Sequence, residues 1–210
     1  MAGSTNSTTS MQQAAPYSDG ALTVLLAGVG GQGTILAADL LARTAIANGM
    51  QVKLSEIHGM AQRGGSVTTV VRLGKRVNSM VADEGSADYV LSFETTEALR
   101  AVPFLRESGL FLVNDESIKP LPVLTGKASM PANARERLIE FGAHLIPASR
   151  LARQAGTVKC ANVVLLGALA AGMDFPVGSW EDQIRLKVPP KTIDMNITAF
   201  RSGMACIESV

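Results

Sequence analysis

Between Gly28 and Arg72 the chain gathers side chains and backbone types that binding and proton chemistry need. Gly28-Val29-Gly30-Gly31-Gln32-Gly33 comes first. Ser55-Glu56-Ile57-His58-Gly59-Met60-Ala61-Gln62-Arg63-Gly64-Gly65-Ser66-Val67 follows. Gly28, Gly30 and Gly33 match GxGxxG. A helix starting there would offer amide donors and a positive dipole end to a phosphate or carboxylate. Glu56 stands twenty-three residues beyond Gly33, where a dinucleotide fold places the acid that holds a ribose. His58 can move a proton or donate a hydrogen bond. Arg63 can grip an oxyanion with two parallel hydrogen bonds. Gln62 adds an amide, and Gly59, Gly64 and Gly65 let backbone come close to a ligand or partner. Two readings stand side by side. The glycines serve a nucleotide, or they only let a helix sit close on a sheet. Glu56 and Arg63 serve a ligand, or they pair with each other while His58 and Gln62 bond backbone.

The surrounding elements decide where these groups sit. Ala21–Ala27 is a short apolar run ending in glycines and predicts a buried first strand. Gln32–Asn48 carries Ile35, Leu36, Leu40, Leu41 and Ile46 at helical spacing, and Asn48-Gly49 is a stop signal. Gln51–Ser55 predicts a second strand, with Glu56 to Ser66 as a loop after it. Val67–Arg72 is β-branched and predicts a third strand. Gly74-Lys75 marks a turn that allows an antiparallel partner at Val77–Val81. A strand at Asp88–Phe93, a helix at Glu94–Glu107 ended by Gly109, and a strand at Leu110–Asn114 follow. Further on come a helix at Asn133–Gly142, a strand at His144–Ile146 and a helix at Ser149–Gly156 capped by Ser149. Val158–Gly172 is apolar all round and predicts a buried helix. In it Ala161, Gly167, Ala168 and Ala171 would admit another backbone, and Leu165 would not tolerate a charge. A helix beginning at Ser179, with Glu181 and Asp182 in its first turn, and a last one from Lys191 to Ile207 flank Pro189-Pro190.

This order predicts an α/β fold: three layers, with helices on both faces of a Rossmann-like sheet. The sheet would be mostly parallel, or mixed if an antiparallel hairpin is inserted. The expected organisation is a disordered tail at 1–20, a Rossmann-like domain at 21–178, and a helical extension of that domain at 179–210.

Composition narrows the function. Net charge is +1 and no Lys/Arg block occurs, which argues against nucleic acid and anionic membranes as partners. Only two cysteines occur, Cys160 and Cys206, whereas an iron–sulfur cluster takes about four thiolates. No metal-ligand set is visible. Cys160 reads as a small core residue and His144 as structural. Asp83, Glu84 and Glu94 read as turn or capping residues. The tail has no basic segment before an apolar one, and Ala161–Met173 is too short to span a bilayer. The expected location is the cytoplasm.

Taken together, GVGGQG and SEIHGMAQRGGSV resemble the small, cluster-free gamma-type subunit of 2-oxoacid:ferredoxin oxidoreductases, nearest to the indolepyruvate branch. The likeness runs from about Leu22 onward and is weakest after Gly178. It implies an enzyme of several subunits that decarboxylates a 2-oxoacid on thiamine diphosphate, passes the acyl group to coenzyme A and sends electrons to ferredoxin. Thiamine diphosphate and the iron–sulfur clusters would belong to a large partner subunit. This chain would bind no cofactor by itself, would be inactive alone, and could form a homodimer in the partner's absence. Coenzyme A would be a co-substrate near it. The residues implied for the site are His58 and Arg63, with Gly28, Gly30, Gly31, Gln32, Gly33, Glu56, Gln62, Gly64 and Gly65 lining it. The rival reading is a stand-alone NAD- or nucleotide-binding Rossmann protein.

Overall fold

Alternation of short apolar strands with helices builds a six-stranded sheet in the order β2-β3-β1-β4-β5-β6. The computed structural model describes residues 21–59, 65–119 and 121–208. The strands are β1 (Ala21–Val29), β2 (Gln51–His58), β3 (Ser66–Gly74), β4 (Ala87–Ser92), β5 (Leu105–Asn114) and β6 (His144–Ile146). The helices are α1 (Thr34–Ala47), α2 (Thr95–Ala101), α3 (Leu121–Leu124), α4 (Ala134–Glu140), α5 (Ala148–Ala155), α6 (Ala161–Ala171), α7 (Val177–Lys187) and α8 (Ile193–Glu208). The expected tail at 1–20 lies outside the described residues.

The sheet is mixed, but not by the expected hairpin. Val77–Val81 forms no strand. Instead β3 itself runs antiparallel, wedged between β1 and β2 and paired to both. The pairs β1–β4, β4–β5 and β5–β6 are parallel. Because β3 reverses once on each side, β1 and β2 still point the same way, so both of their following loops leave from one edge.

Each face of the sheet has its own apolar cluster. Leu22, Val24 and Leu26 of β1 and Val71 and Leu73 of β3 meet α1 and α6, backed by α5, α7 and α8. Leu25, Ala27, Val90, Phe111 and Val113 meet α2 and α4. Period-two alternation sends neighbouring residues to opposite layers. The buried face of α1 is made by Ala37, Ala38, Leu40, Leu41, Thr44 and Ala45, while Ile35 and Ile46 are exposed.

Several boundaries shift for identifiable reasons. The helix expected at Glu94–Glu107 stops at Ala101, because Pro103 tightens the next turn into a 3-10 segment. β5 then begins at Leu105, so Gly109 is a strand residue. A Cβ there would lie 2.9 Å from the Ala87 carbonyl oxygen, which explains the glycine without a helix stop. Pro147, not Ser149, stands at the cap of α5. Residues Val158–Cys160 form a 3-10 turn before α6, and Val158 is exposed. From Asn162 to Ala170 every residue of α6 is buried. α7 starts at Val177, which moves Glu181 and Asp182 out of its first turn.

The last helix joins the same core. At Gly167 of α6 an added Cβ would fall 2.0 Å from the Phe200 carbonyl oxygen. At Gly203 of α8 it would fall 1.9 Å from that of Val164. The two helices therefore cross with backbone against backbone. The expectation that α6 admits a close neighbour holds at Gly167.

A charged clamp adds to this packing. The buried Glu181 carboxylate on α7 accepts a 2.6 Å hydrogen bond from Arg201 Nε on α8 and a 3.1 Å bond from Arg185 Nη2. The Arg201 guanidinium holds the Glu181 carboxyl below its ordinary value, outweighing the upward push of burial. A lowered carboxyl pKa stabilises the fold above the ordinary value of 4.5 and loses that contribution as pH falls through the folded value. Both arginines are largely exposed, so the effect is modest. Glu181→Gln should lower the melting temperature at pH 7 by roughly 2–4 °C, about 1 kcal/mol. The gap to the parent should narrow progressively as melts are taken at lower pH below that value, since a protonated Glu181 resembles Gln.

Candidate functional site

The two glycine-rich segments meet at one edge. β1 and β2 both end there, and β3 starts there. Val29 pairs with Ser66 and His58 pairs with Val67, which in turn pairs with Gly28. The Gly30 amide donates to the Gly65 carbonyl at 3.0 Å, and the Gly59 amide to that of Ser66 at 2.7 Å. Ser66 Oγ donates to the buried Glu97 carboxylate at 2.6 Å, and Arg100 reaches the other oxygen at 2.6 Å. The start of β3 is thus tied to α2. Residues 60–64 lie outside the described residues, and with them Gln62, Arg63, Gly64 and any Glu56–Arg63 pair. For His58 only the backbone is described.

The first turn is wound tightly by its own residues. Gly31 and Gly33 have φ of 98° and 82°, the left-handed region that glycine enters without strain. The Gln32 side chain folds back: Oε1 accepts from the Val29 amide at 2.8 Å and Nε2 donates to the Phe93 carbonyl at 2.9 Å. A Cβ on Gly28 would meet Gln32 Oε1 and Thr34 Cγ2 at 2.9 Å. One on Gly33 would meet Asn162 Nδ2 at 2.4 Å. Gly28, Gly33 and Gln32 therefore have packing roles, and Gly31 is a glycine for its backbone conformation. The amides of Gly30 and Gln32 are both engaged, the latter with the Val29 carbonyl at 3.2 Å. Those two amides are therefore not free for the phosphate or carboxylate expected at this helix start.

Glu56 changes its meaning. β2 runs on to His58, so Glu56 and His58 are strand residues and not loop residues. Glu56 pairs with Thr69, which pairs with Leu26. With β3 in between, Glu56 stands two strand spacings from β1, about 10 Å. An acid that holds a ribose sits on the strand beside β1, so the insertion of β3 speaks against the dinucleotide reading.

On the other side of the turn lies a cleft of ≈ 200 Å³. It opens at the carboxyl ends of β1, β4 and β5, where the chain switches from building leftward to building rightward. Open α/β sheets bind ligands at such points. Gly31, Asn114, Glu116, Ser149, Lys159 and Asn162 are among its walls. Glu94 is buried and caps α2, accepting from the Glu97 amide, as expected for a capping residue. Asp83 and Glu84 precede β4 and lie at the opposite edge. Asn114, Glu116, Ser149 and Lys159 were not anticipated. The available signal was a polar pair, Asn114 and Glu116, closing an apolar strand. A neighbouring depression of ≈ 360 Å³ is lined by Asp115, Glu116, Asn133 and Arg135, but Arg135 is held by Asp115 through two 2.7 Å bonds.

Cys160 is buried in the core, and burial pushes its thiol pKa up, which suits packing and not nucleophilic attack. His144 pairs with Leu112 on the far edge strand, away from the glycine turn. Two cysteines in the whole sequence do not fit an iron–sulfur cluster within one chain. Among the described residues no helix is long and apolar enough to cross a membrane.

Comparison with known proteins agrees with this architecture. Residues 23–206 match the family model for pyruvate ferredoxin/flavodoxin oxidoreductase. The chain is 42% identical over 188 residues to indolepyruvate oxidoreductase subunit IorB of Thermococcus kodakarensis, covering 86% of this chain and 93% of that one. Its fold is similar to pyruvate oxidoreductase subunit PORC of Thermotoga maritima, with a TM-score of 0.67 at 25% identity over 89% and 96% of the two chains. It is also similar to one part of the 2-oxoglutarate:ferredoxin oxidoreductase of Magnetococcus marinus, solved with 2-oxoglutarate, coenzyme A and succinyl-CoA. There the TM-score is 0.71 at 20% identity, over 91% of this chain and 32% of that one.

Proposed function

Because the chain belongs to the pyruvate ferredoxin/flavodoxin oxidoreductase family, we propose that it is the small subunit of a 2-oxoacid:ferredoxin oxidoreductase acting on indolepyruvate or a related aryl-pyruvate. The observation that carries this reading is the collinear 42% match across 93% of an indolepyruvate oxidoreductase subunit. The complex oxidatively decarboxylates the 2-oxoacid to an acyl-CoA. Thiamine diphosphate and the iron–sulfur clusters sit on a large partner subunit, which passes electrons to ferredoxin. The chain spans 32% of a longer relative of like fold, which supports a large remainder supplied by another polypeptide. The Gly28–Gly33 turn and the β2–β3 loop form the surface turned to the partner and to coenzyme A. Residues 179–210 act as an extension of the same domain. Without its partner the chain has no oxidase activity of its own.

Co-expression with the large subunit tests this. Indolepyruvate and coenzyme A should drive ferredoxin reduction by the pair and not by either chain alone. Turnover by this chain alone with NAD would instead establish the nucleotide-enzyme reading. Arg63→Ala should reduce the rate of the assembled enzyme by about 30-fold or more, the loss of one desolvated charge-assisted contact. The melting temperature of this subunit should change little. Full activity with a large drop in melting temperature would make Arg63 part of the scaffold.

A further inference from the structure

The sheet ends in two unlike edges. At one, β6 is three residues long, and so short a strand offers few backbone groups to another chain. At the other, β2 runs for eight residues, longer than the mean of about five to six. It contains no proline and pairs with β3 without a bulge. Among the described residues no strand lies on its outer side, and only β3 and α1 pack closely on it. Its one lysine does not guard the edge, because Lys53 Nζ donates to the Asn78 carbonyl at 2.9 Å. Natural sheets blunt an exposed edge with prolines, bulges, free lysines or short strands. β2 has none of these, and Leu54 and Ile57 on it are 38% and 65% exposed.

We propose that β2 pairs with β2 of a second copy, antiparallel across a two-fold axis, so that two sheets become one. Such a contact needs a strand that is complementary to itself. Residues that face each other in an antiparallel pair also point to the same side of the sheet. In β2, Val52, Leu54 and Glu56 stand opposite Leu73, Val71 and Thr69 of β3 and so share the α1 face, while Gln51, Lys53, Ser55 and Ile57 share the other. The axis must therefore pass at a residue and not between two.

Charge and burial select which residue. With the axis at Leu54, the half-exposed leucines cover each other. Lys53 then faces Ser55, Val52 faces Glu56 and Gln51 faces Ile57, so no like charges oppose. With the axis at Lys53 two ammonium groups would stand face to face, which destabilises a pair. With the axis at Ser55, Leu54 would meet the Glu56 carboxylate and Ile57 would meet Lys53. Axes nearer the ends of the strand pair fewer residues. Leu54 is thus the centre of the contact. The contact does not depend on the reaction proposed above.

Light scattering of the full chain at rising concentration tests this. The mass should climb from 22.0 kDa to twice that value, with a Kd of about 10–100 μM, since an edge contact is smaller than a standard interface of about 1,600 Å². Leu54→Lys, a change at an exposed position, should weaken the dimer about tenfold or more while circular dichroism stays unchanged. Cysteine cross-linking with oxidised glutathione reads the register directly, with the parent chain giving the background from Cys160 and Cys206. Leu54→Cys should form a disulfide dimer at least about tenfold faster than Ile57→Cys, whose two copies would lie about 20 Å apart. A mixture of Gln51→Cys and Ile57→Cys chains should cross-link to each other. A monomer at every concentration would overturn the proposal and leave this edge to another polypeptide. A dimer untouched by Leu54→Lys, or one cross-linked as fast through residue 57 as through residue 54, would overturn it too.

Discussion

Gly203→Ala should lower the melting temperature, and Gly178→Ala should raise it. Gly203 lies in the interior of α8 and Gly178 in the first turn of α7; alanine is the better helix former by up to about 1 kcal/mol. Propensity alone would therefore stabilise both variants. What separates them is the space around the missing Cβ. At Gly178 in α7 nothing lies within 4 Å, so the intrinsic gain should appear, about 0.5–1 kcal/mol. At Gly203 the new Cβ would sit 1.9 Å from the Val164 carbonyl oxygen, with Ala168 N at 3.0 Å. Backbone cannot rotate out of the way as a side chain can. α6 and α8 must separate, and Phe200 and Ile207, both in the buried cluster, lose their fit. Overpacking costs roughly 1–3 kcal/mol and more where backbone must move. A loss of about 3 kcal/mol corresponds to roughly 6–12 °C in a domain of this size. A melting temperature raised by Gly203→Ala would show that the helices do not cross this closely.

The second large effect is Leu169→Asp, measured by urea unfolding. Leu165, the expected position for such a test, is 1% exposed but lines the cleft. A carboxylate there could reach water. Leu169 is 0% exposed and is not among the residues lining that cleft. A charge at 169 would be buried without a partner and would also remove leucine's packing. The combined cost should reach about 4–5 kcal/mol or more. That is a large share of the roughly 5–15 kcal/mol that holds a domain folded, so soluble yield should fall sharply. Leu169→Met keeps volume and hydrophobicity and should cost under about 1.5 kcal/mol. An unfolding midpoint for Leu169→Asp close to that of Leu169→Met would place α6 at the surface.

Much of this molecule was legible in the chain. Short apolar runs closed by glycine or a polar residue placed β1, β4 and β6 within two residues of their observed bounds. β-branched density placed β3, and an all-round apolar pattern marked α6 as buried. These are local signals, since period and composition depend on neighbours along the chain. The paired motifs GVGGQG and HGMAQRGG carried the family resemblance for the same reason, because contiguous residues suffice to state it.

Pairing across the sheet was not legible. β3 has the composition of any central strand, and nothing in Ser66–Gly74 says that it runs antiparallel between β1 and β2. That placement removes Glu56 from the side of the glycine turn, because each intervening strand adds its own spacing. Nor does sequence say that Gln32 turns inward to Phe93, or that Gly33 is a glycine because Asn162, over a hundred residues later, fills the place of its Cβ. The cleft follows the same rule: Gly31, Asn114, Ser149 and Lys159 come from four separate segments. The sequence by itself determined most of the elements and the family, since those are properties of neighbouring residues. Only the tertiary structure decided which loop faces which, because strand order and helix crossing are settled by long-range packing that no local pattern encodes.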